Sequence, residues 1–592
     1  ALHTEVVVTA SRQEQLLRDA PSMATVISAD RLDESPSFLL DQILRRVPGF
    51  SLFRRSSSLI AHPTTQGVSL RGIGPSGTSR SLVLWNGVPL NDPFGGWVYW
   101  NRIPVSALER VELVRGASSQ LYGSSAMGGV IQLLTPVRRN FRFAGRMSAG
   151  GLGIRDLDAT FAERAGEVHF QASTRLFASD GYIPVRSDQR GSIDRKADVD
   201  FRSILAGLEY KDLQFGMNYY LEDRNNGTEL QTNRSEMVQF DVGLLRDRWE
   251  ARLYVQDGVL ESAFSRILPD RRQEFLTGEQ RFDWTAFGAL FNWRLSERSL
   301  IGADWRRVAW ADFDQNLAGL YAQHLVPLNP RLELQLGTRL DVWENRGSQA
   351  SLNPKAGLLL RAAAPLTLRG SVYRGFRAPT LNELYRSFRV GNILTEANPD
   401  LSAETLWGAE GGFDLHPASN LLLRVNGFWS RLEEAVSNVT LSIEPDLILR
   451  QRRNLGGARI RGMEGEFRWK LSPYWDIEAA YLLSDSTDSD SGLRLPQTAL
   501  HQGFAGIRYL GPVIASAGLR WVGRQFEDDL EDLPLERFVV VDLLLRRPMR
   551  DDLTLELAVE NLLDEAFSIG RTPWETLGQP RTVRAGLRFV LR

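Results

Sequence analysis

The sequence predicts a mainly β protein: a 22-stranded antiparallel transmembrane β-barrel over residues 138–592, an N-terminal α/β domain over 13–137 seated in its lumen, and a flexible lead of residues 1–12. Three observations carry that expectation. From about Arg138 the chain alternates apolar and polar residues in runs of roughly 9–13, long beside the usual strand of about 5–6 and near the ~9–11 that a tilted strand needs to cross a bilayer. The polar faces hold more arginine and glutamate than a dry interior would pair. The longest charge-free stretch, Gly116 to Val137, carries Gly, Ser, Gln and Thr throughout, so any membrane crossing has to be made by strands.

The N-terminal part is mixed in character. Ser35 as N-cap, Pro36 at the first helical position and the apolar set Phe38, Leu39, Ile43 and Leu44 before Pro48-Gly49 predict a short amphipathic helix. The runs "TVIS", "VSLRG", "SLVLW", "RVELVRG" and "GVIQLLT" supply a few short strands. Gly72, Gly74 and Gly77 match the spacing of a dinucleotide loop, but the chain leaving them is "SLVLW" followed by an Asn86-Gly87 turn. A phosphate cradle needs a helix there, so the glycines are read as a tight loop and no nucleotide is implied.

The barrel strands are plainest where the alternation is longest. Leu332, Leu334, Leu336, Leu340 and Val342 oppose Arg331, Glu333, Gln335, Arg339 and Asp341; Leu553, Leu555, Leu557 and Val559 oppose Thr554, Glu556, Ala558 and Glu560; Val583, Ala585, Leu587, Phe589 and Leu591 oppose Arg584, Arg588 and Arg592. Trp343, Phe376, Trp429, Trp469, Trp475 and Tyr481 lie near strand ends, where an interfacial girdle is expected. Apolar outside and charged inside is the membrane-barrel arrangement, and 22 strands leave roughly 21 positions for each strand with its connection. A lumen that wide is filled in known barrels, and residues 13–137 are available to fill it.

Composition excludes several classes of function. A net charge of −2 and no basic run argue against nucleic acid as partner. With no cysteine there are no disulfides and no thiolate chemistry, and six dispersed histidines with no hydrolase motif argue against an enzyme. The start at Ala1 without an apolar leader suggests a cytosolic protein or one whose signal peptide has been removed; the strands favour the second.

The blocks "EVVVTASR", "VSLRGIG", "LVLWNGVPLND", "ALERVELVRGASSQLYGSSAMGGVIQLLT", "YRGFRAPTLNELY", "NPDLSAET", "IRGMEGEFRW" and "ENLLDEAF", in that order, resemble those of TonB-dependent outer-membrane transporters over nearly the whole chain. The resemblance implies a monomer in the bacterial outer membrane, in contact with its lipid, that imports a bulky chelate when the inner-membrane protein TonB pulls on the plug. It further implies a TonB box at Glu5, Val6, Val7, Val8, Thr9 and Ala10, captured by strand addition. It places the ligand at two plug apices, with Arg54, Arg55, Ser56 and His62 on the first and Asn91, Asp92, Trp97, Tyr99 and Trp100 on the second, where burial against the wall is the competing role for the aromatics. Plug arginines Arg71, Arg110 and Arg115 are expected to pair with wall glutamates, for which strand parity offers Glu410, Glu464 and Glu466, or to be solvated in the lumen.

The expected ligand is a vitamin B12-type corrinoid or a ferric siderophore, with no resident cofactor required. Haem is the alternative, disfavoured because Thr380 to Ala397 contains no histidine and His62 is the one well-placed imidazole. A passive porin would need neither the "VVVT" segment nor a domain ahead of the barrel. Asp180, Asp188 and Asp194 form an acidic loop that could take Ca²⁺, although without EF-hand spacing. The chain departs from the family in ending "RFVLR" instead of on an aromatic residue.

Overall fold

A computed structural model describes residues 6–7, 9–74, 77–137, 141–344, 347–390, 393–444 and 447–591. Glu5, Val8, Arg592 and the Arg54 side chain lie outside the described residues. The chain forms a closed antiparallel barrel of 22 strands, sealed where Phe143–Gly150 pairs with Thr582–Leu591 in a register running from Phe143 opposite Leu591 to Gly150 opposite Arg584. One end carries tight turns, such as those at 211–212, 297–298 and 364–365. The other carries the long connections 180–198, 378–403, 523–537 and 561–581. Among the described residues no helix is long and apolar enough to cross a membrane.

The alternation reads out as expected. Leu336, Leu340, Val342, Leu555, Leu557, Val583 and Leu587 are exposed on the outer wall, whereas Arg339, Asp341, Glu556, Glu560 and Arg584 are buried in the lumen. The aromatic girdle holds for Trp429, Trp475 and Tyr481, which are exposed. It fails for Trp343 and Phe376, which are buried and stacked on each other at 5.3 Å. Parity explains the failure, since Trp343 shares a face with the inward-pointing Asp341.

The plug is a five-stranded sheet in the order Ala24–Ser28, Arg110–Arg115, Gly129–Leu134, Leu82–Trp85, Val88–Pro89. Its apolar faces meet around Ile27, Ile43, Val83, Val111 and Ile131. The strand expected after the glycine loop is Leu82–Trp85, and Asn86 and Gly87 at positive φ turn it into Val88–Pro89. The helix expected from Ser35 begins instead after Leu39 and spans Leu40–Leu44, and Ala29–Asp33 adds a helical turn with no sequence expectation behind it. At Gly72, φ is +68° and an added Cβ would lie 2.8 Å from Ser484 Oγ of the barrel. The glycine loop is therefore a point where plug backbone passes close to the wall.

Candidate functional site

The functional region is the seam between plug and wall, and its centre is a buried cluster of arginines and glutamates. Arg71 leaves the strand Val68–Ser69 with a φ of +54°, which turns its guanidinium toward the barrel. There it meets Glu410 at 2.7 Å and donates to Glu464 from Nε at 3.1 Å. Arg115 reaches Glu464 at 3.4 Å and Glu466 at 2.7 Å, and also donates to Thr25 Oγ1 at 2.7 Å. All five charged side chains are buried. Ser371 and Asn426 complete the shell of Glu410 at 2.9 and 3.2 Å. Burial alone would lower the Arg71 pKa, but Glu464 and Glu410 reverse that and hold it above its ordinary value.

Arg110 does not join the cluster. It pairs within the plug, with Glu112 at 2.8 Å and Glu109 at 3.3 Å. The reason is the period of the strand Arg110–Arg115: positions 110 and 115 point to opposite faces, so only one of them can look at the wall glutamates.

A second network was not expected. Arg80 donates to Glu404 at 2.7 and 3.2 Å, Arg377 to Glu404 at 2.5 Å and to Glu383 at 2.7 and 3.0 Å, and Glu383 closes a capping box with Thr380. "FRAPTLNELY" and "NPDLSAET" thus hold a brace from the long 378–403 connection to the plug. The parity that points Glu410 inward also points Glu404 inward, so the signal was present in the sequence.

The second apex is not open to a ligand. Trp97, Tyr99 and Trp100 are buried, with Tyr99 6.0 Å from Tyr220, and Phe94 between them packs on Phe282 at 5.5 Å and Trp310 at 4.7 Å. Asn91 accepts from Val83 N at 2.7 Å, and Asp92 accepts from Gly95 N at 2.7 Å. Trp97 and Tyr99 take the competing role, burial against a lumen wall built of Phe177, Phe201, Tyr220, Phe282 and Trp284, while Trp100 packs into the plug core 5.5 Å from Phe50.

Burial lifts the Asp92 carboxyl to about 7, against the pull of the Gly95 amide and Arg102. A raised carboxyl binds its proton more tightly folded than unfolded, so plug stability is fullest below about pH 4 and falls as pH rises toward 7. Asp92→Asn is expected to flatten that slope and to raise the melting temperature at pH 8 by a few degrees, read by differential scanning calorimetry in detergent.

The first apex is different. His62 is engaged, with Nδ1 accepting from Thr64 N at 3.2 Å and the ring stacked on Phe264. Arg55, however, lines a small cavity of about 50 Å³ toward the loop end together with Arg45 and Arg520. Arg55 and Arg520 both lie over the Phe538 ring, at 5.3 and 5.0 Å, and Arg45 donates to the Arg55 and Ser56 carbonyls at 3.0 and 2.9 Å. Among the described residues none of the three forms an ion pair. Asp542 and Glu560, in the same cavity, are engaged by Asn561 N at 2.8 Å and by Arg584 at 3.5 Å.

The acidic loop does not gather round a cation. Asp180 faces Lys196, Asp188 pairs with Arg186 at 2.7 Å, and Asp194 accepts from Arg271 Nε at 2.9 Å. Among the described residues no group of three or more metal-ligating side chains converges. Each carboxylate has met a cation from its own or a neighbouring loop.

The lead segment is packed as well. Val6–Val7 pairs with Gln15–Leu16, Thr9 donates to Glu112 from N and Oγ1 at 2.9 and 2.6 Å, and Arg12 sits between the Tyr122 and Tyr321 rings at 4.4 and 4.8 Å. Residues 6–7 and 9–12 are thus docked instead of free.

Comparison with known families gives the model "TonB-dependent Receptor Plug Domain" over residues 16–130 and "TonB dependent receptor-like, beta-barrel" over 146–562. The chain belongs to the TonB-dependent receptors. It is therefore an outer-membrane receptor of a transport family, not an enzyme. A vitamin B12 transporter, BtuB of Vibrio vulnificus, is 31% identical over 220 residues, which take in 37% of this chain and 31% of that relative. BtuB of Vibrio cholerae is 23% identical over 609 residues, covering 95% and 92%. Among solved structures, the siderophore receptor PirA of Acinetobacter baumannii superposes with a TM-score of 0.78 at 14% identity, over 96% of this receptor and 98% of PirA, a likeness of fold. In a barrel of this family the long connections face the cell exterior, so the arginine cavity of the receptor is extracellular and the docked lead is periplasmic.

Proposed function

We propose that the receptor imports an anionic ferric siderophore across the outer membrane, energised by TonB acting on the segment Glu5 to Ala10. The observation that supports this reading is the cavity of Arg45, Arg55 and Arg520, three guanidiniums that form no ion pair among the described residues, at the extracellular end of the lumen. Such groups recognise carboxylate, hydroxamate or catecholate oxygens through charge-assisted hydrogen bonds. In the resting receptor the Val6–Val7 edge is taken by Gln15–Leu16, so strand addition by TonB has to displace that hairpin first.

A corrinoid is the second reading, supported by the B12 transporters among the relatives. Direct titration of the purified receptor with a ferric tricatecholate and with cyanocobalamin separates the two. Submicromolar binding of the catecholate and energy-dependent uptake by a receptor-deleted strain carrying this gene are expected. Binding of cyanocobalamin alone selects the second reading, and uptake that survives loss of TonB overturns the energised mechanism.

A further inference from the structure

The plug is not held evenly. On one arc of the wall it is tied by charge pairs: Arg71 and Arg115 to Glu410, Glu464 and Glu466, Arg31 to Asp476 at 3.1 Å, Glu34 to Arg508 at 2.5 Å and Asp33 to Arg546 at 2.8 Å. On the opposite arc, strands Val199–Tyr210 to Glu274–Ser296, the plug is held at its extracellular apex by aromatics packed on Tyr220, Phe282 and Trp284 and by Arg224 donating to the Ser58 carbonyl at 2.9 Å, but across its middle it meets neutral groups. Arg102, buried and without an ion pair among the described residues, donates to the Asn218 and Gln239 amides at 3.1 and 3.2 Å, and Gln256 donates to the Pro89 carbonyl at 2.6 Å.

Below these contacts, toward the periplasm, the same arc borders a cavity of about 430 Å³ between plug and wall, lined by Trp85, Asn86, Gln132, Gln171, Gln214 and Glu250 among others. Arg12 of the docked lead lies at its edge, donating to Tyr321 at 2.8 Å. The chain on which a pull would act thus emerges beside the arc that, among the described residues, forms no ion pair with the plug.

We propose that the passage opens along the 199–296 arc, with the cavity as its periplasmic mouth, while the glutamate arc keeps its pairs and serves as the hinge. Breaking a buried ion pair strands a charge on each side of a low-dielectric seam, whereas Arg102 leaving its two neutral amide acceptors for water strands no charge on the wall. A pull that withdraws Arg12 therefore separates the amide side first. The inference rests on the energised import proposed above.

The absence of cysteine makes the test clean. Ser203 and Ser484 are matched buried wall serines whose hydroxyls donate to plug carbonyls, of Arg102 at 2.7 Å and of Arg71 at 3.1 Å. In the purified receptor under mild urea, maleimide is expected to modify Ser203→Cys at least tenfold faster than Ser484→Cys, and equal or reversed rates overturn the assignment. That measurement needs no ligand, so it stands apart from the choice of chelate.

A second measurement ties plug to wall with a short thiol–thiol linker, through Pro89→Cys with Gln256→Cys or through Val26→Cys with Arg468→Cys, the latter replacing an Arg468 bond to the Val26 carbonyl at 3.2 Å. Uptake of ferric tricatecholate is expected to fall at least tenfold with the first tie, to recover when the linker is cleaved, and to persist with the second. Uptake that survives the first tie, or is lost with the second, overturns the route. Failure of the untied receptor to bind either chelate strikes the proposed function instead.

Discussion

Arg71→Ala is expected to loosen the plug more than any other single substitution in the seam. Its guanidinium serves two carboxylates at once, so its removal leaves Glu410 and Glu464 buried with Ser371, Asn426, the Lys355 charge and the distant end of Arg115 as weaker partners. Removing one member of such a cluster costs about 3–5 kcal/mol, far more than the intact pair contributes over an apolar replacement. The loss falls on the docking of the plug and not on the barrel ladder, so two transitions should separate in calorimetry, the plug melting early and the barrel unchanged. Cells carrying the variant should become leaky to a large hydrophilic antibiotic. Arg71→Lys is expected to recover only part of the loss, because an ammonium cannot span both carboxylates. In a double-mutant cycle Arg71→Ala with Glu464→Gln should be less damaging than the sum of the two; simple additivity would show that the pair is not coupled.

The reasons some of this was legible in the sequence are particular. Period-two alternation fixes a face for every strand residue, and it placed Glu410, Glu464 and Glu466 in the lumen from the apolar residues flanking them. The same rule, carried further, separates Arg110 from Arg115, turns Trp343 inward and exposes Glu404 as a partner in waiting for Arg80. What the alternation cannot supply is the partner across the lumen. Trp97 and Tyr99 carry the composition of a ligand apex, and their burial depends on Tyr220, Phe282 and Trp284 arriving from strands more than a hundred residues away. Of the cavity residues only Arg55 was expected, and Arg45 and Arg520 escaped for the same reason: a plug helix end, an apex and a strand near the C-terminus converge only in the closed barrel. The helix at Leu40–Leu44 was displaced because Ser35 and Pro36, good starting residues in isolation, are followed by Phe38 and Leu39, which are spent on the apex core against Phe177.

The second large effect is expected at that cavity. Burial, then the neighbouring charges of Arg520 and Arg45, pulls the Arg55 guanidinium down from its ordinary value to about 9, which marks a site that is electrostatically unfavourable while empty. An anionic ligand relieves this further than the nearby Glu527 does, because its oxygens can reach the guanidinium directly. Each charge-assisted hydrogen bond is worth about 1.5–3 kcal/mol, or roughly ten- to a hundredfold in affinity. Arg55→Ala and Arg520→Ala are each expected to weaken ferric tricatecholate binding by at least that lower factor and to flatten its dependence on salt. Removing Arg55 also relieves like-charge repulsion, so the same substitution should raise or leave unchanged the melting temperature of the empty receptor. Affinity and stability then move in opposite directions, an outcome that a merely structural arginine would not give. If isothermal titration finds the catecholate bound equally well by the double variant, the cavity is not where the charge of the ligand is read.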